Sequence, residues 1–259
     1  MLKEFFTAAL GMQNQNTRLE VIANNLANAN TNGYKSANVF ERNLIDASEN
    51  FNNVSGNVEQ NDSPIGSYYD LSAGNYSKTD NPLDIAIDGD GYFLVVDSDG
   101  KQYLTRNGAF QLATDGTMTT KDGKKLTGED GEIKISSELF SNPKITQDNK
   151  AINLRVSESG ELFLNDSLVG KINIVSPSDP SLLQSVSNGD FILTGNSDMQ
   201  YLDPNQVKVH QGWLEGSNVN VVNEMVKMIE LQRNYEMGGK IIQINDQTLD
   251  RSIALGRFI

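Results

Sequence analysis

The side chains best suited to catalysis are scarce in this 259-residue chain. His210, in KVHQGW, is the one histidine, and the chain has no cysteine. This composition excludes a disulfide framework, a thiolate metal site, a cysteine nucleophile and a two-histidine metal site. A lone histidine is more typical of an ordinary surface position than of a general base. We therefore predict no catalytic role for His210.

Aspartates are grouped in DIAIDGDGYF, where Asp84, Asp88 and Asp90 could suggest a calcium loop. An EF-hand needs acids at alternate positions, then a glycine and a distal glutamate, and this stretch does not supply that pattern. Its GDG is followed by neither the lysine nor the helix start of a phosphate-binding loop. Turn chemistry explains these residues better, so we predict no metal, no cofactor and no enzymatic activity.

Glu215 stands close to the single tryptophan, Trp213, in GWLEGSN. An exposed acid beside a tryptophan can form a sugar-binding subsite, because the indole offers an apolar face for stacking. A junction between a domain and a helix, anchored by the tryptophan, explains the same residues more simply. We favour the junction.

The acidic charge of the chain is confined to its middle. The formal net charge is −13, which argues against binding to nucleic acid or to an anionic membrane surface. Residues 1–45 contain four Lys/Arg and three Asp/Glu, and residues 201–259 contain six and seven. Residues 46–200 therefore carry the whole −13. Nearly neutral ends can pack against copies of themselves, whereas an acidic middle stays solvated.

Each end of the chain has the apolar periodicity of a helix. At the N-terminus the spacings alternate between three and four, which is typical of a coiled-coil seam. The C-terminal helix is predicted from about Val219 to about Leu255, with Ser217 or Asn218 as its N-cap. No segment approaches the roughly 20 apolar residues of a transmembrane helix, so no membrane insertion is predicted. The N-terminal seam consists of Leu2, Phe5, Ala9, Met12, Asn16, Leu19, Ala23 and Leu26, and the C-terminal stripe of Val222, Met225, Val226, Ile229, Tyr235, Ile242 and Leu249.

The middle of the chain is predicted to be β-rich. Asp-Gly recurs between short runs such as YFLVV and AFQLA, which indicates antiparallel strands joined by two-residue turns. The predicted fold class is therefore α+β, with long N- and C-terminal helices packing as a coiled coil and a central antiparallel β-rich domain. The predicted domains are terminal helices in residues 1–33 and 216–259, an extended connector in 34–82 and 201–215, and a β-rich outer domain in 83–200.

The two helices have more apolar surface than they can cover for each other. We therefore predict that neighbouring copies cover the rest through heterologous contacts, which do not close and so produce helical filaments. The alternative is a secreted β-rich binding or adhesin-like protein whose helices only complete its fold. The predicted subunit-interface residues are Leu2, Phe5, Met12, Leu19, Ile22, Asn24, Asn25, Leu26, Asn28, Val222, Met225, Ile229, Tyr235, Ile242 and Leu249.

The N-terminal helix runs into the asparagine-rich stretch ANNLANANTNGYK. Asn28, Asn30 and Asn32 can end the helix, and Asn32-Gly33 can turn the chain with a positive φ. Asn24 and Asn25 lie one turn earlier. Their neutral amides can hydrogen-bond a neighbouring copy without accumulating charge.

Three stretches resemble the bacterial flagellar rod and hook proteins. They are LEVIANNLANANTNGYK near the start, NPLDIAIDGDGYFLV with YLTRNGAFQ in the middle, and QGWLEGSNVNVVNEMVKMIELQRNYE near the end. Residues 136–200 carry no recognised motif. The length is most similar to that of rod proteins. The short connector between YKS and NPLD and the ending LDRSIALGRF favour the proximal rod type over the distal one.

This resemblance implies a structural, non-catalytic subunit of the flagellar basal body. Such a subunit would be exported by the flagellar type III apparatus without a cleaved signal peptide. It would join copies of itself and other rod or hook axial proteins in a shaft that crosses the periplasm and transmits torque from motor to hook. The terminal helices would form the inner core of the shaft, and the β domain its outer layer.

Overall fold

The chain divides into two compact units. The helical unit comprises Met1–Ala29, Ser36–Asp70 and Val219–Ile259, and the β unit comprises Asn30–Lys35 and Leu71–Asn218. The structure is a computed structural model that describes residues 2–41, 65–135, 154–165, 167–186, 189–194, 198–203 and 207–256.

The helical unit contains helix α1 (Leu2–Ala27), helix α2 (Val221–Gly256) and the antiparallel strands β1 (Ala37–Glu41) and β2 (Ile65–Tyr69). The remaining elements, all in the β unit, are β3 (Tyr76–Lys78), β4 (Ile85–Asp88), β5 (Tyr92–Val96), β6 (Gln102–Thr105), β7 (Gln111–Leu112), β8 (Met118–Thr119), β9 (Lys125–Gly128), β10 (Gly131–Glu132), β11 (Leu154–Val156), β12 (Glu161–Leu164), β13 (Ser167–Lys171), β14 (Ile174–Pro177), a 3-10 helix (Pro180–Leu182), β15 (Leu183–Ser185), β16 (Phe191–Leu193), β17 (Met199–Tyr201), β18 (Lys208–Gln211) and β19 (Trp213–Glu215).

The strands of the β unit pair in antiparallel fashion throughout its described residues. A ten-stranded sheet contains β5 to β10 and β14 to β17, and a smaller sheet has the order β11-β12-β13. The late strands β18 and β19 return to the beginning of the unit, because β18 pairs with β4 and β19 pairs with β3. Segments 120 or more residues apart in the chain are thereby held side by side.

One hydrophobic core lies within the β unit. Strand β12 alternates half-buried and buried residues, as expected for a strand with one face on a core. Strand β5, YFLVV, is buried over its first four residues, so it is covered on both faces. The core consists of Ile85, Ile87, Phe93, Val95, Phe110, Met118, Leu126, Ile133, Ile135, Val156, Leu162, Leu164, Ile172, Ile174, Val207 and Val209.

The prediction of turns at Asp-Gly is confirmed, but at Asp99-Gly100, Asp115-Gly116 and Asp122-Gly123 the loops are longer than two residues. At Asp99-Gly100 the glycine N–H donates to the carbonyl of Asp97 at 3.0 Å, and the N–H of Asp97 donates to the carbonyl of Lys101. Gly100 has φ +80. The same two bonds recur around Gly116, Gly123 and Gly160. Each hairpin therefore uses a four-residue turn that ends in a left-handed glycine, a common alternative to the two-residue turn.

The predicted fold class, with terminal helices packing as a coiled coil, is wrong. The structure has one helix at each end of the chain and a large antiparallel β-rich body. A coiled coil requires one continuous apolar seam on each helix. On α2 the heptad row through Val222, Met225 and Ile229 continues into the polar residues Gln232 and Glu236. The seam therefore breaks after two turns.

Helix α2 begins two residues later than predicted. Its first residue is Val221, and the side-chain oxygen of Asn220 accepts from the N–H of Asn223 at 3.1 Å. Asn220 is therefore the N-cap, where a side chain satisfies one of the free N–H groups of the first turn. Neither terminal helix, over the residues described, is both long and apolar enough to cross a membrane.

Candidate functional site

Helix α2 has apolar residues on two opposite faces. Leu231 is buried, and Met228 and Ile242 on the same side are half-buried. A second group, which we call the far face, lies roughly on the other side of the helix, given 3.6 residues per turn. The far face consists of Val222, Met225, Val226 and Ile229, which are 69%, 49%, 50% and 50% exposed.

A groove of about 450 Å³ runs between α1 and α2. Its apolar lining comes from Leu19 on α1 and from Leu231 and Tyr235 on α2. The polar residues that complete the lining are Gln15, Asn16, Gln232 and Glu236. Glu236 is the one charged residue of this lining.

Asn25 is fully buried and stabilises the junction between α1 and β1. Its amide donates to the carbonyl of Ala37 at 2.8 Å, and its side-chain oxygen accepts from the N–H of Ala37 at 3.0 Å. The same amide donates to Glu224 Oε2 at 3.2 Å. The side chain of Asn25 therefore links three elements of the helical unit.

Asn24 and Asn28 interact with each other at the end of α1. The amide of Asn28 donates to Asn24 Oδ1 at 2.8 Å and to the Asn24 carbonyl at 3.0 Å. Helix α1 ends at Ala27, next to Asn28, as predicted, whereas Asn24, for which a bond to a neighbouring copy is predicted, accepts from Asn28 of its own chain. Gly33 has the predicted positive φ, at +70.

The other predicted interface residues are distributed between the helix pair and its surface. A Cβ on Gly238 would lie 3.6 Å from Met12 Cε, so Met12 packs over the glycine. Ile22 is buried and Leu26 is half-buried. The backbones of Leu2, Phe5 and Leu249 lie in the helices, and their side chains lie outside the described part of the chain. The role of this set in subunit contacts stays a prediction.

A buried cluster of charges lies inside the β unit. Lys35 Nζ is 2.6 Å from Glu215 Oε1, and both side chains are 0% exposed. Arg106 Nη1 is 3.2 Å from Glu215 Oε2, and the Arg106 side chain is 4% exposed. One carboxylate thus pairs with two cations. We call these three residues the charge cluster.

Backbone groups satisfy most of the remaining hydrogen-bonding capacity of the charge cluster, whereas Arg106 Nε is buried without a hydrogen-bond partner among the described residues. The cluster contains one more cation than anion, and backbone carbonyl oxygens accept from both cations. Lys35 Nζ donates to the carbonyl oxygen of Ser72 at 2.7 Å, and Arg106 Nη2 donates to the carbonyl oxygen of Gly89 at 2.7 Å. The N–H of Gly74 donates to Glu215 Oε1 at 3.0 Å. Buried charges are tolerated when such bonds replace water. The charge cluster therefore holds together the three chain segments that carry Lys35, Arg106 and Glu215.

Gly33 is required beside this junction. A Cβ at Gly33 would lie 2.4 Å from the carbonyl carbon of Arg106, a distance that no side chain can adopt. The N–H of Gly33 also donates to the carbonyl of Glu215 at 2.8 Å. The backbones that carry Lys35, Arg106 and Glu215 are therefore in direct contact as well.

Tyr92 covers one side of the charge cluster. The Arg106 guanidinium lies 5.2 Å from the centre of the Tyr92 ring, within the range of a cation–π interaction. Burial raises the pKa of Tyr92 from 10.0 to about 12, and the Glu215 carboxylate adds to the rise against the opposing effect of Arg106. The phenol is therefore held neutral.

Titration of the protein at alkaline pH should reveal Tyr92. Because the pKa of Tyr92 is higher in the folded state, the folded protein keeps the phenol proton at pH values at which the unfolded chain has lost it. The stability that depends on the neutral phenol is complete below about pH 10 and is lost as the pH rises towards 12. Absorbance at 295 nm should show a late-ionising tyrosine, and Tyr92→Phe should remove that step. Ionisation of every tyrosine near pH 10 in the folded protein would contradict this expectation.

The residues considered first for chemistry have other roles. Glu215 is fully buried in the charge cluster, so it cannot meet a sugar, and Trp213 is 37% exposed. The charge cluster lies wholly within the β unit, so the predicted junction between a domain and a helix stays a prediction. His210 Nε2 lies 3.5 Å from Asp88 Oδ2, and both side chains are exposed. Among the described residues, no group of acids and histidines is arranged to hold a metal.

The chain is similar to three flagellar family models, which match separate segments. Residues 6–35 match "Flagella basal body rod protein", residues 86–164 match "Flagellar hook protein FlgE/F/G D1 domain", and residues 210–255 match "Flagellar basal body rod FlgEFG protein C-terminal". Lys35, Arg106 and Glu215 each come from a different one of these segments. The charge cluster therefore joins the three parts that the family models describe.

Relatives match over nearly the whole chain. The flagellar basal-body rod protein FlgG of Agrobacterium fabrum is 31% identical, over 93% of this chain and 94% of that protein. FlgG of Bacillus subtilis is 30% identical, over 99% of this chain and 100% of that protein. The flagellar basal-body rod protein FlgF of Caulobacter vibrioides is 30% identical, over 94% of each.

Proposed function

The chain belongs to the flagellar basal-body rod proteins, and we propose that it builds the rod by packing the far face of α2 against other axial subunits. It is a structural subunit of the flagellar basal body. Its family consists of structural proteins, and the proposed function of this chain is to associate with other subunits. The resulting shaft would transmit torque from the motor to the hook.

The far face is the observation that supports this mode of assembly. Four large apolar side chains lie next to one another on α2 and are half exposed or more. Large contiguous apolar patches are rare on monomers and often mark contact surfaces. Their burial contributes about 25 cal/mol for each Å² removed from water, which favours association without any ligand.

The partners proposed are copies of this chain and other rod or hook axial proteins. We also propose export by the flagellar type III apparatus, because the family resemblance implies it. The acidic charge of residues 46–200 would keep neighbouring β units solvated and apart while the nearly neutral ends pack.

Electron microscopy of isolated basal bodies tests this function. The chain, carrying a small surface label on the β unit, should be found in the rod, and cells without it should have incomplete rods and lose motility. Isolated basal bodies that lack the chain while remaining complete would overturn the proposal.

The same images address the position along the rod. The short connector and the chain ending favour the proximal type, while the relatives include proteins named FlgG and proteins named FlgF. The distance of the label from the hook would distinguish a proximal from a distal subunit.

A further inference from the structure

We infer that a small pocket of the β unit binds a neutral saccharide. The pocket has a volume of about 270 Å³ and is lined by Glu129, Lys171, Asn173 and Tyr201 together with three aliphatic residues. We call it the β pocket. Its volume is slightly below that of pockets for drug-sized ligands, so it suits a ligand of about one sugar ring. Saccharide binding goes beyond the proposed function and does not depend on it.

Asn173 supplies the β pocket with an amide that the protein itself does not use. Asn173 is only 9% exposed, and its backbone N–H donates to the carbonyl of Thr127 at 3.1 Å. Within the described part of the chain, its side chain has no hydrogen-bond partner. A polar group buried so deeply costs folding free energy unless it is bonded. Its donors and its acceptor are therefore available to a ligand, and a sugar hydroxyl can both donate and accept.

Tyr201 supplies an aromatic surface beside that amide. It is paired with Val175 in the register of β17 with β14, and Asn173 precedes Val175 by two residues. Because side chains alternate along a strand and paired residues share a face, Tyr201 and Asn173 lie on the same face of the sheet. Tyr201 is 67% exposed. Its ring can therefore pack against the apolar face of a sugar ring, while the hydroxyls at the edge of the sugar meet polar groups.

The charges in the lining of the β pocket compensate each other. Lys171 Nζ lies 2.5 Å from Glu129 Oε1, and the two side chains are 29% and 58% exposed. The lining therefore has no net charge with which to attract an ion. The acidic charge of residues 46–200 further disfavours anionic ligands such as phosphates and acidic polymers. A neutral ligand with many hydroxyls and one apolar face, which is a saccharide, fits these properties.

Saturation-transfer difference NMR on the purified full chain tests saccharide binding. The probes are the neutral disaccharides cellobiose, maltose and N,N′-diacetylchitobiose, and glucose 6-phosphate is the anionic comparison. At a concentration of about 10 mM, at least one neutral probe should receive saturation from the protein, because an open site with few contacts gives affinity in the millimolar range. Glucose 6-phosphate should receive none.

Two substitutions in the β pocket should each weaken binding by about tenfold. Tyr201→Ala removes the aromatic surface. Asn173→Leu removes the amide at nearly constant volume, and it should not lower the unfolding temperature, because the lost amide has no partner in the folded chain. Tyr68→Ala is the matched control. Tyr68 is an exposed tyrosine of the helical unit, at 53%, and its substitution should leave saccharide binding unchanged.

Three outcomes would overturn the assignment of the β pocket. They are no binding of any neutral probe by the wild type, binding that both variants retain, and a lower unfolding temperature for Asn173→Leu, which would give the amide a role in folding. Self-association that Tyr201→Ala abolishes, without sugar binding, would identify a second copy as the occupant instead. Neither variant alters the far face, so the presence of the chain in rods reports on the proposed function separately.

Discussion

Ile229→Asp is expected to abolish rod assembly while the chain stays folded. Ile229 is half exposed on the far face, so the folded monomer tolerates a carboxylate there. At a subunit contact the same carboxylate would be buried without a partner, which costs several kcal/mol. We expect no incorporation into rods, measured by electron microscopy of basal bodies, and an unfolding temperature close to that of the wild type.

Two further aspartate variants calibrate this result. Asn234→Asp adds a charge to an exposed residue on the other flank of α2, where it lines a separate groove with Lys227 and Glu230, and it should assemble. Leu19→Asp, in the groove, should block assembly as Ile229→Asp does. Rods of normal length with both Leu19→Asp and Ile229→Asp would show that these faces are not contacts.

Glu215→Gln is expected to destabilise the β unit by about 3–5 kcal/mol, the usual cost of breaking a buried ion pair. The substitution keeps the shape of the side chain but leaves Lys35 and Arg106 buried without an anion. The amide would also direct donor hydrogens at one of the two cations. Urea unfolding followed by the fluorescence of Trp213, the single tryptophan, reports on this unit, because Trp213 lies two residues away.

An exposed ion pair provides the matched control. Glu158 lies 3.3 Å from Lys208, and the two side chains are 69% and 63% exposed. Glu158→Gln should cost no more than about 1 kcal/mol. Replacing Lys35 with methionine in the Glu215→Gln background should then recover part of the loss, since it removes one of the orphaned cations. Equal costs for Glu215→Gln and Glu158→Gln would show that burial adds nothing to the cluster.

Local patterns in the sequence predicted the local structure well. Asp-Gly dipeptides fell at turns, and the asparagine cluster ended α1, because both effects depend on a few neighbouring residues. The coiled coil failed for a reason that is visible in the chain. A heptad reading of α2 that passes from Ile229 to Tyr235 advances six positions and not three, four or seven, and it therefore joins two different faces of the helix.

The charge cluster could not be predicted from the residues that form it. Lysine, arginine and glutamate are almost never fully buried unless they are paired, so an exposed position is the expectation for each of them from sequence alone. Their burial results from the pairing of β19 with β3 and from the approach of Gly33 to Arg106, which are contacts between distant segments. The signal present in the sequence was indirect: NGYK, TRNG and WLEG each combine a glycine with a charged residue.

Asn25 illustrates the same limit within the helical unit. The sequence analysis predicts that the amide of Asn25 bonds a neighbouring copy, whereas this buried amide bonds Ala37 and Glu224 of its own chain. The sequence does not indicate which backbone the amide meets, because Ala37 reaches it through the turn after α1 and Glu224 comes from the far end of the chain.

The sequence separations in the charge cluster also determine the order in which the β unit can fold. Glu215 comes 180 residues after Lys35 and 109 residues after Arg106. Hairpins closed by short turns form within microseconds, whereas a contact across so long a loop carries a large entropic cost. Two cations cannot be enclosed before their anion arrives. The β unit therefore cannot complete its fold until β19, which carries Glu215, is available. In a chain that is released N-terminus first, the charge cluster cannot form before β19 has been released.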